Sequence, residues 1–393
     1  MRDLILPTHL KSHLTQGHPW VYRTHLPDAP RLPSGTWVRV RCGGFTAYGL
    51  WDAAGQIAVR LFATRAVPDA AWVAARVAEA WERRAPLRAT PTTAYRWLFG
   101  EGDGLPGITV DLYGQFAVVA TYAASVETLL PWLVDALRAA APLKGILHRP
   151  HRSADSGDGH DPGERIVRLW GAPPPRDLTI QENGLVFRAN LVSGQKTGLF
   201  LDQRDNRRTV EAWSGGKTVL NAFAYTGGFS VYAARGGATH VTSVDVAADA
   251  LADARENFTR NGFDPDAHAF EVADVFESLA RYHAEGRQFD LVILDPPSFA
   301  RSRQNLHAAL RAYTRLNTLG MRVVRPGGLL ATASCTAQVS HDAFQAAVAE
   351  AGAAAHRRFL ILHDAGQPLD HPVPAHFPEG RYLKFLLGQV ILG

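Results

Sequence analysis

Four side chains that can do chemistry lie at the ends of predicted strands in the second half of the chain. They are Asp245, Asp274, Asp295 and Cys335, and each follows a short apolar run. Strands that alternate with helices in this region predict a mainly parallel sheet, whose strands end at one shared edge. Ligands of such sheets bind outside that edge, so we expect the four side chains to share one site.

Cys335 indicates a particular reaction. Carbon 5 of a pyrimidine is a poor nucleophile, and methylating it usually needs a thiolate that adds to carbon 6. The resulting enamine attacks the methyl sulfonium, and a base then removes the carbon 5 proton so that the thiol can leave. The alternative is a small buried hydrophobic residue. We favour that interpretation for Cys42, which lies in the N-terminal part of the chain.

Asp295 opens the sequence Asp-Pro-Pro-Ser-Phe and is predicted to face a planar base. The two prolines make the loop rigid, and the carboxylate can accept a hydrogen bond from the amino group of a base. Phe299 can stack on that base. Such loops are typical of S-adenosylmethionine (SAM)-dependent methyltransferases that act on nitrogen atoms or RNA bases. A purely structural alternative is that Asp295 only ends its strand. One crossover helix separates Asp295 from Cys335, so their strands are predicted neighbours.

Residues 219–245 have the pattern of a strand, a glycine turn, a helix and a second strand. Gly227 and Gly228 let the backbone turn tightly beside a ligand. Asp245 ends the second strand, where a carboxylate is placed to bind ribose hydroxyls. The turn departs from Gly-x-Gly-x-x-Gly, which argues against a nicotinamide or flavin cofactor. The unit therefore predicts a nucleoside site without naming the nucleoside.

The chain is predicted to contain three domains, in keeping with its 393 residues. Residues 1–66 carry strand patterns separated by turn signals, which predicts a small β-barrel. Residues 67–188 combine an alanine-rich helix with later strands, an α+β pattern. Residues 189–393 alternate strands and helices, which predicts an α/β fold with a doubly wound, Rossmann-like sheet.

Composition and charge exclude several classes of protein. A net charge of +4 and a pI near 9.1 are compatible with a nucleic-acid partner but do not require one. Two cysteines without paired spacing exclude a disulfide framework and a four-cysteine zinc site. No apolar run approaches the roughly 18 residues of a membrane span, and the first residues lack a secretory signal pattern. We therefore expect no membrane association and a cytoplasmic location.

Acidic and aromatic residues in the first third of the chain have a functional and a structural interpretation. Glu101, Asp103 and Asp111 are acidic enough to suggest a metal site. Carboxylates between glycines are more often turn formers, so we expect no metal. Trp20 and Tyr22, in G-H-P-W-V-Y, are candidates either for RNA contact or for the core of the N-terminal module.

Several motifs together carry a family resemblance. They are V-L-N-A-F-A-Y-T-G-G-F-S, F-D-L-V-I-L-D-P-P-S-F, the Ser-Cys pair after R-P-G-G-L-L, G-H-P-W-V-Y, G-E-G-D-G-L-P-G-I-T-V-D and K-T-G-L-F-L-D-Q-R-D-N-R. Their combination closely resembles the large-subunit (23S) ribosomal RNA cytosine-5 methyltransferases that carry an N-terminal PUA domain. The similarity spans nearly the whole chain, and the combination is specific although no single motif is.

The resemblance implies a PUA domain, a small central domain and a C-terminal class I SAM-binding domain. It implies that Cys335 is the nucleophile and that Asp295 holds the cytosine edge. Asp245 and Asp274 would contact the ribose and the adenine of SAM, and the segment Gln203-Arg204 would line the cofactor or target side. The cofactor-binding residues expected on this basis are Asn221, Phe223, Tyr225, Thr226, Gly227, Gly228, Asp245, Asp274, Asp295, Gln203 and Arg204.

One position departs from the family pattern. Many RNA cytosine-5 methyltransferases carry a second cysteine in the Asp-Pro-Pro loop, where this chain has Ser298. Product release would then need another base, and Glu379 in F-P-E-G-R-Y is the candidate. The single Ser-Cys pattern is also similar to that of RNA uracil-5 methyltransferases.

The sequence therefore predicts a SAM-dependent RNA methyltransferase that forms 5-methylcytosine in large-subunit ribosomal RNA. The PUA-like module would hold RNA through its shape and backbone, and the target base would be flipped into the pocket. A homodimer is one option for its assembly. The alternatives are methylation of uracil carbon 5, methylation of a base nitrogen with Cys335 inert, and a non-catalytic RNA-binding or assembly factor that retains SAM affinity.

Overall fold

Two units make up the computed structural model, which describes residues 1–26, 29–151, 166–192, 199–300 and 303–393. Lys196 to Gly198 of the K-T-G motif lie outside the described residues. The first unit comprises Met1–Gly184, Ala189–Leu201 and Leu369–Gly380, and the second comprises Leu185–Arg188, Asp202–Pro368 and Arg381–Gly393.

A mixed sheet forms the N-terminal part of the first unit. Its strands occur in the order β1-β3-β4-β5-β2, with β1 parallel to β3 and the other pairs antiparallel. The elements are β1 (Arg2–Ile5), α1 (Lys11–Thr15), β2 (Trp20–Tyr22), β3 (Trp37–Cys42), β4 (Phe45–Trp51) and β5 (Ile57–Ala63). In β3, Val38 and Val40 are buried whereas Arg41 is exposed, the alternation of a strand with one face in the core.

A second sheet and its helices complete most of the first unit. The strand order is β10-β9-β8-β7-β6. The elements are α2 (Ala70–Arg83), α3 (Ala85–Arg88), β6 (Ala94–Phe99), β7 (Ile108–Tyr113), β8 (Phe116–Thr121), α4 (Leu130–Ala140), β9 (Gly145–Arg149), β10 (Val167–Gly171) and β11 (Thr179–Glu182). Helix α2 begins after Asp69, whose side chain accepts from the backbone N–H of Trp72 at 2.8 Å and caps the helix.

A buried ionic network explains why residues Leu369–Gly380 belong to the first unit. Arg84 is fully buried and donates to both carboxylate oxygens of Asp103, at 2.7 Å each. It also donates to the backbone carbonyl of Asp370 at 2.7 Å, and the Asp370 carboxylate accepts from the backbone N–H of Arg96 at 2.9 Å. A buried guanidinium needs such acceptors. In the domain division predicted from the sequence, Asp370 falls in the third domain, residues 189–393.

The second unit contains the doubly wound sheet that the sequence predicts. Its strand order is β15-β14-β13-β16-β17-β19-β18, in which β19 alone runs antiparallel to its neighbours. The elements are β12 (Leu185–Arg188), α5 (Arg204–Ala212), β13 (Thr218–Ala222), α6 (Gly228–Arg235), β14 (His240–Asp245), α7 (Ala248–Arg260), β15 (Ala269–Val272), α8 (Val275–Ala284), β16 (Phe289–Leu294), α9 (Leu306–Val323), β17 (Val324–Ser334), α10 (His341–Ala354), β18 (Arg357–Ala365) and β19 (Lys384–Leu392).

The core of the second unit lies along its central strands. All six residues of β16 are buried, as expected for a parallel strand covered on both faces. Leu220, Val292 and Leu330 pack in one cluster with residues of α8, α9 and α10. Strand β17 begins at Val324, directly after α9, and the Arg-Pro-Gly-Gly segment lies within the strand. None of the described helices is long and apolar enough to cross a membrane.

Candidate active site

The strand order brings the predicted residues of the second unit to one edge of the sheet. β13 is central, with β14 and β15 on one side and β16 and β17 on the other. Ligands of doubly wound sheets bind where the strand order reverses, outside the carboxyl ends. The residues at or just after the ends of β15, β14, β13, β16 and β17 are Asp274, Asp245, Phe223, Asp295 and Cys335, in that spatial order.

The turn after β13 is built from residues in the left-handed backbone region. The φ angles are 61° at Phe223, 48° at Tyr225 and 77° at Gly227. Such angles are rare outside glycine and mark functional turns when the surroundings hold them in place. The Tyr225 N–H donates to Asp245 Oδ2 at 2.9 Å, which ties this turn to the end of β14. Sequence reasoning identified the glycines but not the strain at the two aromatic residues.

Gly227 has no space for a side chain. A Cβ atom there would lie 2.8 Å from Cβ of Ala254 in α7, and its φ of 77° already disfavours other residues. A Cβ atom at Gly228 would lie 3.2 Å from Cδ of Arg207, a side chain long enough to move. The two glycines therefore differ, and Gly227 is the one that the turn requires.

We expect Gly227→Ala to destabilise the protein, because backbone strain and the contact with Ala254 distort the turn. The same distortion should weaken binding of S-adenosylhomocysteine (SAH), the demethylated form of the expected cofactor, about tenfold or more. Gly262→Ala is the matched control: its φ is 78°, but no heavy atom lies within 4 Å of the added Cβ. The control should lower the melting temperature without changing the Kd for SAH. Thermal unfolding and titration calorimetry measure both quantities, and equal loss of SAH affinity in the two variants would contradict a special role for Gly227.

Asp245 holds a fixed carboxylate beside this turn. Oδ2 accepts from the Tyr225 N–H and Oδ1 accepts from the Ala247 N–H, each at 2.9 Å. Each carboxylate oxygen has a further lone pair, so both can still accept from a ligand hydroxyl. Asp274 is exposed and caps α8, accepting from the Glu277 N–H at 3.0 Å. The geometry suits Asp245 to a ribose, and the contact of Asp274 with adenine stays a prediction.

Two buried polar atoms line the same part of the second unit. Asn221 is 1% exposed, and its Nδ2 donates to Ser230 Oγ at 2.8 Å. Within the described residues, Asn221 Oδ1 and Thr226 Oγ1 are buried without a hydrogen-bond partner. Buried polar atoms are nearly always satisfied, so these two indicate a polar ligand or bound water. Their position, with the glycine turn and Asp245, fits a nucleoside.

A chain of buried amides orients Asp295. Gln203 Nε2 donates to Asp295 Oδ1 at 2.8 Å, and Asn206 Nδ2 donates to Gln203 Oε1 at 2.6 Å. Both amide side chains are 2% exposed, whereas Asp295 is half-buried. Arg204 is also buried, and its Nε donates to Asp205 Oδ1 at 3.3 Å. The structure thus brings Gln203 into contact with Asp295 and adds Asn206, which no sequence motif had singled out.

Cys335 lies beside the loop that Asp295 opens. Strands β16 and β17 pair in parallel, as predicted, with Leu294 opposite Thr332. The half-buried Cys335 has its Sγ 3.9 Å from the carbonyl oxygen of Pro296. The thiol therefore contacts the loop that Asp295 opens, at the ends of two neighbouring strands.

Thr336, the residue after Cys335, links the end of β17 to helix α9 and to the loop after β16. Its Oγ1 lies 2.8 Å from the Tyr313 hydroxyl and 3.1 Å from Ser298 Oγ, within hydrogen-bond distance of both. The pKa of Tyr313 is raised to about 12, chiefly by burial. Hydrogen bonds with Ser334 and Thr336 lower this pKa, and negative charge at Cys335 and Asp295 raises it. The tyrosine thus stays neutral and can act as a hydrogen-bond donor in this network. Phe299, proposed to stack on a base, packs with its ring centroid 4.8 Å from that of Tyr313.

Several candidates from the sequence lie in the first unit. Glu379 lies in the turn Pro378–Gly380, with Oε1 3.6 Å from His18 Nε2, and its role as the base stays a prediction. Trp20 is half-buried, donating to Glu101 at 2.8 Å. Cys42 is 1% exposed, as the structural interpretation predicts.

The acidic residues considered for a metal have protein partners instead. Asp103 pairs with Arg84, and Asp111 accepts from Arg96 at 2.7 and 2.9 Å. Glu101 accepts from the Trp20 indole. Across the ranges that the structure describes, no group of three or more His, Cys, Asp and Glu side chains is arranged to hold a metal ion.

Two family models match the chain. One, described as S-adenosylmethionine-dependent methyltransferase, matches residues 162–363. The other, described as a PUA-like domain, matches residues 4–64. The first range contains the glycine turn, Asp295 and Cys335, and the second lies within the N-terminal module predicted over residues 1–66.

Relatives with curated names match nearly the whole chain. Ribosomal RNA large subunit methyltransferase I from Photobacterium profundum is 38% identical over 378 residues, which is 94% of this chain and 95% of that protein. The ribosomal RNA large subunit methyltransferase from Deinococcus radiodurans is 41% identical over 394 residues, covering 96% of this chain and 95% of that protein.

Solved structures also match nearly the whole chain. A protein from Streptococcus mutans superposes with a TM-score of 0.86 at 26% identity, covering 99% of this chain and all of that one. A structure of SMU.776 complexed with SAH has a TM-score of 0.87 at 26% identity, with the same coverage. Similarity to these proteins therefore extends over both units.

Proposed function

Because the chain belongs to the family of S-adenosylmethionine-dependent methyltransferases that includes the ribosomal RNA large subunit methyltransferase I proteins, we propose that it methylates carbon 5 of a cytosine in large-subunit ribosomal RNA. The observation that carries this proposal is the half-buried Cys335 thiol, 3.9 Å from the Pro296 carbonyl in the loop that Asp295 opens. A nucleophile next to a group that can hold a base is what the reaction requires.

SAM is the cofactor of this family, and the polar groups around the glycine turn fit it. Asp245 would accept from the ribose hydroxyls, and Asp274 would contact the adenine. The buried oxygens of Asn221 and Thr226, which have no partner among the described residues, would take up further polar groups. When bound, SAM supplies an electrophilic methyl group on a positively charged sulfur.

Cys335 would act directly on the target base. Its thiolate forms a bond from Sγ to carbon 6, and the electron pair of the 5,6 double bond moves to make carbon 5 nucleophilic. After carbon 5 has gained the methyl group, a base removes its proton. The electrons of that C–H bond restore the double bond, the carbon 6–sulfur bond breaks, and the thiolate is regenerated. Glu379 remains our candidate for the base.

Asp295 would hold the edge of the base and select cytosine. Gln203 fixes Oδ1 at 2.8 Å, so the orientation of the carboxylate is set before substrate arrives. A carboxylate accepts from the exocyclic amino group of cytosine. Uracil carries a carbonyl oxygen at that position, and two acceptors would face each other. Asp295 therefore favours cytosine over the uracil-5 alternative.

RNA that contains 5-fluorocytosine at the target position should trap the enzyme. Fluorine replaces the carbon 5 proton that the base must remove. The elimination is therefore blocked, and the carbon 6–sulfur bond persists. We expect a SAM-dependent covalent complex on denaturing gels, with the RNA fragment on the Cys335 peptide by mass spectrometry. Cys42 serves as the internal control because it is 1% exposed. An adduct on the Cys42 peptide, or none at all, would argue against the mechanism.

Methylation of a base nitrogen is the second candidate, favoured by the Asp-Pro-Pro sequence of the loop after β16. In that reaction Asp295 would hold the nitrogen, and Cys335 would be inert. Nucleoside analysis of RNA methylated by the purified protein separates 5-methylcytosine from 5-methyluridine and from the nitrogen-methylated products. Absence of labelled methyl transfer to any ribosomal RNA would instead support the non-catalytic alternative.

The N-terminal module is a second part of the chain that we expect to contact RNA. A PUA-like domain matches residues 4–64, and we propose that it binds ribosomal RNA through shape and backbone contacts. We also propose a cytoplasmic location, in keeping with a ribosomal RNA substrate. Assembly as a homodimer also stays a prediction, which sedimentation of the purified protein can measure.

A further inference from the structure

Lys384 is a buried cation at the edge of the sheet where Cys335 lies. The side chain is 2% exposed, although lysine is among the residues least often buried. Lys384 is the first residue of β19, and its register partner in β17 is Ser334, the residue before Cys335. Because β19 runs antiparallel to β17, its beginning meets the carboxyl end of β17.

The amino group of Lys384 is held in place by backbone carbonyls. Nζ donates to the carbonyl oxygen of Thr336 at 2.7 Å and to that of Tyr382 at 2.8 Å. Thr336 follows Cys335 directly, so the register partner and the hydrogen-bond partner of Lys384 bracket the cysteine on both sides. Both carbonyl dipoles favour a positive charge, which partly offsets the cost of burying it.

Electrostatics couple Lys384 and Cys335. Burial lowers the pKa of Lys384, and negative charge on Cys335 raises it. The net result of the two effects is a pKa of about 8. At pH 7 the amine is therefore still mostly protonated. The coupling is reciprocal: if a thiolate favours the ammonium, the ammonium favours the thiolate by the same free energy.

Asp295, Tyr313 and Tyr382 also lie near the pair, and none of these three side chains supplies positive charge. Asp295 follows β16, and its negative charge opposes formation of a thiolate. Tyr313 of α9 stays neutral because burial raises its pKa to about 12. Tyr382 precedes β19, and its hydroxyl donates to Asp202 at 2.6 Å. Lys384 is a cation whose hydrogen bond reaches the residue next to Cys335, and its charge opposes the effect of Asp295 on the thiol.

We propose that Lys384 supplies the positive charge that stabilises Cys335 as a thiolate, a positioning role that rests on the proposed use of Cys335 as nucleophile. The amine already carries its proton, so the half-buried thiol loses its own proton to solvent, and one thiolate is left with one ammonium. The thiolate is consumed when sulfur bonds to carbon 6 and is regenerated when that bond breaks. The ammonium keeps its proton throughout, so the pair is ready for the next cycle.

The test is the pH dependence of alkylation of Cys335 by iodoacetamide, without RNA or SAM. We would compare the wild type with Lys384→Met, which removes the charge, and Lys384→Gln, which removes it but keeps N–H donors for the carbonyls. At pH 7 both variants should react about tenfold more slowly, because a neighbouring cation lowers a thiol pKa by about one unit or more. Near pH 10 all rates should converge, because every thiol is then ionised.

Peptide mass spectrometry distinguishes alkylation of Cys335 from alkylation of Cys42. Lys217→Met in the same unit is the control for loss of a lysine elsewhere; Lys217 is half-buried and donates to the Gly215 carbonyl at 3.4 Å. Superimposable profiles for wild type and Lys384→Gln would overturn the proposal. Rates reduced by one factor at every pH would also overturn it, since that pattern reports altered access to the thiol. If the profiles shift as expected but Cys335→Ala still methylates RNA, the proposed function fails while the thiolate pair stands.

Discussion

Replacing Cys335 with alanine is expected to reduce methyl transfer to ribosomal RNA by at least about 10³-fold, equivalent to about 4 kcal/mol of activation free energy. Without the thiolate, carbon 5 of cytosine is not activated by addition at carbon 6. Binding of SAH should be unchanged, because Asp245 and the glycine turn lie at the ends of other strands. Transfer of labelled methyl groups and titration calorimetry measure the two quantities on the same preparation.

The matched control for that experiment is Cys42→Ala in the first unit. Cys42 is buried, with Sγ 3.2 Å from the Pro7 carbonyl, so the change should cost some stability but leave the rate of methyl transfer within about twofold. Methylation at the wild-type rate by Cys335→Ala would exclude the covalent mechanism and favour methylation of a base nitrogen.

Asp295→Asn is expected to reduce kcat/KM about 10²-fold, equivalent to about 2.7 kcal/mol. The amide has one oxygen, and Gln203 Nε2 at 2.8 Å would hold it in the position of Oδ1. The NH₂ group would then face the amino group of cytosine, so a donor would meet a donor. The folded structure should persist because the substitution preserves size and the contact with Gln203.

Asp364→Asn provides the comparison for Asp295→Asn. Asp364 is exposed on β18 and pairs with His341 at 2.9 Å, so losing its charge should leave the kinetics unchanged. The substrate preference offers a second measurement: if Asp295 selects the amino group, Asp295→Asn should lose most of its discrimination between cytosine and uracil at the target position. Equal discrimination by wild type and variant would remove Asp295 from target recognition.

Much of the second unit was predictable because its pattern is local. Helix α7 over Ala248–Arg260 and the largely apolar strand β16 follow from periodicity and turn signals within a few residues. The placement of Asp295 beside Cys335 required one additional rule, that a single crossover helix joins neighbouring parallel strands. The first unit was less predictable, since β1 and β2 are short and lack a clear alternating pattern.

The sequence by itself determined the chemistry available at the site: a thiol and carboxylates at strand ends, and a glycine turn for a nucleoside. Parallel strands of known direction are enough to bring those groups to one edge. Tertiary structure alone decided what surrounds them. Gln203 reaches Asp295 from 92 positions away, and Lys384 reaches the carbonyl next to Cys335 because β19 runs antiparallel. Strand direction and long-range pairing are set by packing across the whole sheet, so no local pattern in the sequence records them.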